Sequence, residues 1–122
     1  MPYLLERGSP DSTWTLCTGA QGDLGLRAAP AMSQGALYSF ATVACRDNEK
    51  TNVRFNEIYL AFRVQFELES GNPLDTSWTI TTSSEFAPLY TQILDRTDIR
   101  SCRVNVLGPP DIRELKYRRK AE

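Results

Sequence analysis

Histidine is absent from this 122-residue sequence, and cysteine is scarce. Because Ser-His and Cys-His pairs need an imidazole base, this absence excludes both kinds of nucleophilic catalysis. The three cysteines, Cys17, Cys45 and Cys102, are far apart and form no C-x-x-C pair. We therefore expect neither a disulfide scaffold nor a metal site. Scattered free thiols are typical of a reducing, cytoplasmic setting.

Strong net charge and long apolar runs are missing as well. The formal net charge is −1, so no broad positive field predicts binding to nucleic acid or to an anionic membrane surface. The apolar runs are too short to span a bilayer, and the first residues lack the pattern of a secretory signal. The basic cluster "RELKYRRK" near the C-terminus indicates a solvated tail. The length predicts one domain over residues 1–122.

A stretch early in the chain resembles a dinucleotide-binding loop but lacks one of the glycines of that motif. The stretch "TLCTGAQGDLG" resembles T-G-x-x-x-G-x-G with Asp23 in place of the middle glycine. Such a loop needs glycine because its backbone turns tightly and approaches a pyrophosphate at a helix N-terminus. The Asp23 carboxylate would repel the phosphates, and the helix that begins near Pro30 starts too late for the motif. The sequence therefore predicts no nucleotide-binding loop at this point.

Periodic segments predict an alternation of strands and helices. We predict a strand over residues 12–18, a helix over 30–50 and a last strand over 101–107. A second helix is predicted in "SSEFAPLYTQILDRT", where Thr82 and Glu85 are placed for a capping box. This order of elements favours an α/β fold with at least some parallel strands.

The strongest periodic signal lies in the middle of the chain. Apolar residues alternate with other residues without a break from Ile58 to Leu68. A period of two over this length predicts one long strand with one buried and one polar face. Such a strand is typical of an antiparallel sheet or of a sheet edge.

The segment "SQGALYSFATVACRDNEKTNVRFNEIYL" resembles part of the short-chain dehydrogenase/reductase family. In that family a helix with Y-x-x-x-K continues as S-K-x-A-L, and a later strand has the pattern I-R-V-N-x-I-x-P-G. Here "SQGAL" corresponds to the first pattern and "NVRFNEIYL" to the second. "STWTLCTG" then corresponds to the strand that ends at the family's catalytic serine, so the resemblance covers roughly residues 1–62. It implies the C-terminal half of the fold, a partial Rossmann-like three-layer sheet with helices. The long alternating strand leaves open a rebuilding toward α+β with an antiparallel strand pair.

The resemblance also implies that the family's chemistry is missing. The family's tyrosine falls on Pro30 and its lysine on Gln34, while its serine falls near Cys17 or Thr18, of which only Thr18 has a hydroxyl. In the family the tyrosine gives the proton, and the lysine lowers the tyrosine's pKa and holds the cofactor ribose. Without both residues this chain is not expected to transfer hydride, and we predict no cofactor.

Other groups are candidates for proton transfer or for substrate binding. Glu57, Tyr59 and Thr18 are the candidate catalytic residues, although a solvated carboxylate and a packed aromatic ring are the alternatives for the first two. Large aromatic side chains would line a pocket for an apolar substrate. These candidate substrate-binding residues are Trp14, Phe62, Phe66, Trp78 and Phe86.

Two classes of function are left open. The first is a non-redox accessory or tailoring protein of the cyclase or isomerase type, derived from a short-chain reductase and acting on an apolar metabolite in a biosynthetic pathway. The second is a catalytically inactive dimerising or scaffold module, or a truncated remnant of an NADP-dependent oxidoreductase. In that case the apolar helix face around Phe40 and Val43 would pack against a second copy or another subunit.

Overall fold

The computed structural model describes residues 2–8, 10, 12–65 and 80–120. Its helices are α1 (Pro2–Arg7), α2 (Gln21–Leu24), α3 (Ala28–Asp47), α4 (Ser83–Phe86), α5 (Pro88–Asp95) and α6 (Pro110–Arg113). Its strands are β1 (Ser12–Gly19), β2 (Val53–Leu60), β3 (Arg63–Gln65), β4 (Ile80–Thr82), β5 (Cys102–Val106) and β6 (Tyr117–Arg119). Within the described ranges, no helix combines the length and the apolarity needed to cross a membrane.

Four strands form the main sheet in the order β1-β2-β5-β6. Strands β1, β2 and β5 run parallel, and β6 runs antiparallel to β5. Strands β3 and β4 pair separately in a small parallel sheet. This mostly parallel sheet with helices confirms the predicted α/β, partial Rossmann-like architecture. The antiparallel pair lies at β5 and β6, not in the central strand.

The prediction of one long, half-buried strand from Ile58 to Leu68 was wrong. Strand β2 ends at Leu60 and β3 begins at Arg63 in a different sheet, and residues 66–68 lie outside the described residues. Strand β2 is buried along almost its whole length on both faces, because helices pack on both faces of this mostly parallel sheet. The alternation of residue types therefore continues past the end of β2 and into a strand of a different sheet.

Each face of the main sheet has its own apolar cluster. Because β2 side chains alternate between faces, Phe55 and Ile58 point to opposite sides. Phe55 packs with Ala41, Ala44 and Cys45 of α3. Ile58 packs with a larger cluster under α5, formed with Phe86, Leu89, Ile93, Ile99, Cys102, Val104, Val106 and Ile112. Helices thus cover the sheet from both sides.

Side chains end the helices at defined residues. Thr82 Oγ1 accepts a hydrogen bond from the Glu85 amide at 3.3 Å, which confirms Thr82 as the N-cap of α4. Arg100 donates to the carbonyls of Asn48 and Glu49 just beyond α3. Cationic side chains stabilise such helix ends because the last carbonyls have no partner within the helix. Helix α3 therefore ends at Asp47, three residues before the predicted end.

Candidate functional site

The carboxyl end of β1 is held by two side chains of α3. The Gly19 amide donates to Gln34 Oε1 at 2.7 Å, and the Tyr38 hydroxyl donates to the Gly19 carbonyl. Gln34 and Tyr38 are four residues apart on a helix, so both point toward the same strand end. We call these two contacts the Gly19 cap.

Helix α2 lies directly against Tyr38. A Cβ atom on Gly22 would approach the Tyr38 ring to 2.5 Å, so this close packing requires glycine at residue 22. The Tyr38 ring lies 5.8 Å from the Tyr59 ring, measured between centroids. Burial, followed by a hydrogen bond to Asp23 of α2, raises the pKa of Tyr59 to about 12. Burial also raises the pKa of Tyr38. Both phenols therefore keep their protons at neutral pH.

A buried ionic cluster lies beside these rings. Glu57 is fully buried and accepts hydrogen bonds from Arg103 Nε at 3.0 Å and from Lys120 Nζ at 2.7 Å. Lys120 also donates to the Tyr38 carbonyl at 2.8 Å. The Arg103 guanidinium lies 4.7 Å from the Tyr38 ring centre and 5.0 Å from the Tyr59 ring centre. We call Glu57, Arg103 and Lys120 the Glu57 cluster. Since both cations already bind its oxygens, Glu57 is not a free carboxylate.

The three candidate catalytic residues share one face of the sheet. Thr18 and Tyr59 are register partners on β1 and β2, and Glu57 precedes Tyr59 by two residues. All three side chains thus point toward α3. Thr18 is buried, and its hydroxyl donates to the Ile58 carbonyl at 3.3 Å. The structure brings these residues together, while their catalytic role stays a prediction.

The candidate substrate-binding residues are divided between the two faces. Trp14 packs edge-on against Phe55 at 5.6 Å on the α3 side. Phe86 belongs to the cluster under α5, and Phe62 packs against that cluster. Phe66 and Trp78 lie outside the described residues. The three described aromatic residues therefore do not line one common pocket.

A groove of about 630 Å³ lies between α5 and α6. Its lining consists of Glu85, Pro88, Gln92, Pro109, Pro110, Ile112, Arg113 and Glu114. None of the described candidate catalytic or substrate-binding residues contributes to it.

The basic segment near the C-terminus is more than the predicted solvated tail. Strand β6 is exposed, yet the Lys120 side chain is only 12% exposed and reaches Glu57. Lys116 pairs with Asp111 at 3.0 Å. Sequence reasoning missed the Glu57 cluster because its cations come from distant segments. One signal was present, since the alternation in "CRVNV" places Arg103 on the opposite face from the apolar residues of β5.

The cysteines do not form a reactive centre. Cys45 and Cys102 are buried and Cys17 is exposed. Although Cys17 is exposed as a residue, partial desolvation of its thiol raises the pKa, against the effect of a hydrogen bond with Tyr90. The thiol form therefore dominates at neutral pH. In the part of the chain that the structure describes, no group of three or more Cys, Asp or Glu residues could hold a metal ion.

Comparison with known proteins identifies a relative. The chain is 42% identical over 119 residues to the short-chain dehydrogenase/reductase iacG of the fungus Pestalotiopsis fici. The match covers 98% of this chain but 48% of the relative, so the chain spans about half the length of the protein it matches. No protein-family model and no solved structure matches the chain. The chain therefore matches part of a short-chain dehydrogenase/reductase, as its motifs implied.

The nicotinamide cofactor that such a relationship implies does not fit the residues present. In the sequence resemblance, the lysine expected to hold the ribose falls on Gln34, whose amide oxygen accepts a hydrogen bond from the Gly19 amide at 2.7 Å. The tyrosine corresponds to Pro30, which has no ionisable group. Tyr38 cannot replace it without leaving the Gly19 cap, where its hydroxyl already donates.

Proposed function

We propose that this chain is a non-redox accessory protein derived from a short-chain dehydrogenase/reductase, acting through its folded surface and not through hydride transfer. The contact between Gln34 and Gly19 carries this proposal. It uses the side chain that corresponds to the family's lysine for a backbone contact at a strand end. A neutral amide in that position supplies no charge to lower a phenol's pKa.

Titration with NADPH and NADH tests the proposal. Isothermal calorimetry on the purified chain is expected to show no saturable binding of either nucleotide, with an intact short-chain reductase as the positive control. The Gln34→Lys variant, which restores the charge, is the matched comparison. Tight saturable binding by the unmodified chain, together with turnover of a ketone, would contradict the proposal.

The exposed face of α3 supports a role in assembly. Met32, Phe40 and Val43 are 73%, 47% and 57% exposed on this helix. Apolar side chains grouped on a surface helix are typical of a contact with another protein. A homodimer through this face is the simplest arrangement, and Val43→Glu is expected to dissociate it in sedimentation experiments. A cytoplasmic location belongs to the same proposal.

A cyclase or isomerase activity is the second candidate. Thr18 and Tyr59 lie side by side on neighbouring strands, and Tyr59 keeps its proton at neutral pH because its pKa is about 12. A protonated phenol can donate a hydrogen bond to the oxygen of an apolar metabolite. Incubation with uncharged polycyclic ketones, followed by mass spectrometry and chromatography, tests this candidate. Turnover should be lost in Tyr59→Phe and kept in Tyr117→Phe, whose ring is more exposed. Equal turnover in both variants would rule Tyr59 out.

A further inference from the structure

The Lys120 ammonium group has an acceptor for each of its donors. Its Nζ atom donates to Glu57 Oε1 at 2.9 Å, to Glu57 Oε2 at 2.7 Å and to the Tyr38 carbonyl at 2.8 Å. Since a lysine ammonium has three N–H donors and no acceptor, these oxygens match its donors one to one. The Tyr38 ring centre lies 5.9 Å from Nζ and adds a contact with the cation. We call the two Glu57 oxygens and the Tyr38 carbonyl the ammonium pocket.

The charge of Glu57 is balanced without Lys120. The Arg103 guanidinium donates from Nε to Oε2 at 3.0 Å and from Nη2 to Oε1 at 3.2 Å, a two-pronged pairing that suits a carboxylate. One carboxylate and two cations give the Glu57 cluster one positive charge more than neutrality needs. If the Lys120 ammonium left the pocket, Arg103 would still pair with Glu57, and no buried charge would be left alone. Lys120 is therefore the member of the cluster that can be exchanged.

The segment that carries Lys120 is weakly held. Strand β6 pairs with β5 over three residues, and all three of its side chains are exposed. These side chains bond to partly exposed residues that include Arg96, Asp98 and Glu49, and surface contacts of this kind contribute little to stability. A segment with few buried apolar contacts opens at a lower free energy than the core. We call residues 117–120 the strap, and Lys120 is its buried anchor, with a side chain that is 12% exposed.

We propose that the ammonium pocket binds a linear primary alkylamine, and that Lys120 occupies the pocket as a competitor from within the chain. Beyond its Cα atom a lysine side chain is a butylammonium group, so a free amine of three or four carbons has the same head and stem. When the strap opens, the NH₃⁺ group of such an amine meets the same three acceptors. Binding to this form shifts the population toward an open strap. The site is separate from the proposed accessory function, so its test is independent of the NADPH titration.

The pocket selects primary amines by their N–H groups. A quaternary ammonium ion has the same charge but no N–H donor, so it cannot form hydrogen bonds with Glu57 or with the Tyr38 carbonyl. The aromatic rings beside the cluster do not offer it a cage either, because Arg103 already lies 4.7 Å from the Tyr38 ring centre and 5.0 Å from that of Tyr59. Tetramethylammonium is therefore the matched control ion for a primary alkylammonium ion.

Chemical rescue of a lysine variant tests the site. Lys120→Ala removes a propylammonium group, so added propylammonium chloride should raise the melting temperature of this variant in a saturable way. We expect a Kd on the order of 1 mM, and no saturable rise with tetramethylammonium at the same ionic strength. Lys116→Ala is the control variant, because the Lys116 side chain is 67% exposed beside Asp111, and neither ion should rescue it. Equal effects of the two ions on Lys120→Ala, equal rescue of both variants, or no saturable effect of propylammonium would overturn the proposal.

Hydrogen exchange in the unmodified chain tests the competition. The Lys120 amide donates to the Ser101 carbonyl at 2.7 Å, so its exchange rate reports opening of the strap. At about 10 mM, ten times the expected Kd, propylammonium should speed this exchange about tenfold, because it binds only the open form. Tetramethylammonium should leave the rate unchanged, and neither ion should affect the amide of buried Cys45 in α3. If Lys120→Ala does not fold, this measurement decides alone, and a Lys120 amide that both ions affect equally, or not at all, contradicts the proposal.

Discussion

At the scale of single residues, Arg54 shows how one buried cation ends a helix. It is 1% exposed, and its Nη1 and Nη2 atoms donate to carbonyls at and just beyond the end of α5. These carbonyls belong to Ile93, Leu94, Arg96 and Ile99, at 2.9 to 3.2 Å. The guanidinium suits this place because its planar fork presents several donors to closely spaced acceptors.

The Arg54→Met variant should lower the free energy of unfolding by about 3 kcal/mol or more, because it leaves buried carbonyls without donors. Urea denaturation followed by circular dichroism measures the loss. Arg118→Met on exposed strand β6 is the control and should change stability by less than about 0.5 kcal/mol. A loss of similar size in both variants would show that the buried contacts of Arg54 are not what stabilises α5.

Tyrosine ionisation gives a second residue-scale prediction. Burial is the main cause that raises the pKa of Tyr59 and of Tyr90 to about 12, from an ordinary value of 10.0. The folded state then holds protons that the unfolded state releases, so stability is full below pH 10 and falls as the pH rises toward 12. Denaturant titrations across this range should show the fall. The slope should be shallower in Tyr59→Phe, and an unchanged slope would contradict the raised pKa of Tyr59.

At the scale of elements, the packing of α2 against α3 depends on Gly22. The sequence placed this glycine in a stretch that resembles a dinucleotide-binding loop without being one, and the structure gives it a steric role beside Tyr38. Gly35, inside α3, has no atom within 4 Å of the place where a Cβ would lie. The two glycines therefore predict opposite effects of alanine.

Gly22→Ala should destabilise the chain by about 1–3 kcal/mol, because the added methyl group collides with the Tyr38 ring. Gly35→Ala should stabilise it by about 0.5–1 kcal/mol, because alanine loses less backbone entropy in a helix. Thermal and urea unfolding of both variants measure the difference. If Gly22→Ala is neutral, α2 does not pack on Tyr38 as described.

Strand β2 shows why an element's type is easier to predict than its surroundings. Its β-rich sequence identified a strand, but it did not show that Arg54, Asn56 and Glu57 would be enclosed, and a solvated carboxylate was one alternative for Glu57. All three are buried with partners from other segments, as in the bond from Asn56 Nδ2 to the Ile99 carbonyl at 3.1 Å. Local periodicity does not record partners that lie more than forty residues away.

At the scale of the whole molecule, the Glu57 cluster joins distant parts of the chain. Glu57 is on β2, Arg103 is on β5, and Lys120 follows β6 and also contacts α3. Removing one member of a buried ion group leaves the remaining charges buried without a partner of opposite sign, which destabilises the fold. The cluster should therefore couple the last strand to the centre of the sheet.

A double-mutant cycle tests this coupling. Glu57→Gln alone should cost about 3 kcal/mol, and Lys120→Met should cost less once Glu57 is already replaced. We expect a coupling free energy of about 1–3 kcal/mol from urea unfolding of the single and double variants. Lys116→Met, whose partner is Asp111, serves as the control and should combine additively with Glu57→Gln. Additivity in both cycles would show that Lys120 and Glu57 do not interact.

The sequence by itself determined the α/β order, the strand that ends at Gly19, the long helix after it, and the fact that neither Pro30 nor Gln34 has an ionisable side chain. Local propensities and the identity of single residues suffice for these features. Only the tertiary structure decided that Glu57 is enclosed by two cations, that Gln34 and Tyr38 cap the end of β1, and that the predicted aromatic residues lie on both faces of the sheet. These features depend on contacts between segments far apart in the chain, and such contacts are set by the packing of the whole sheet and its helices.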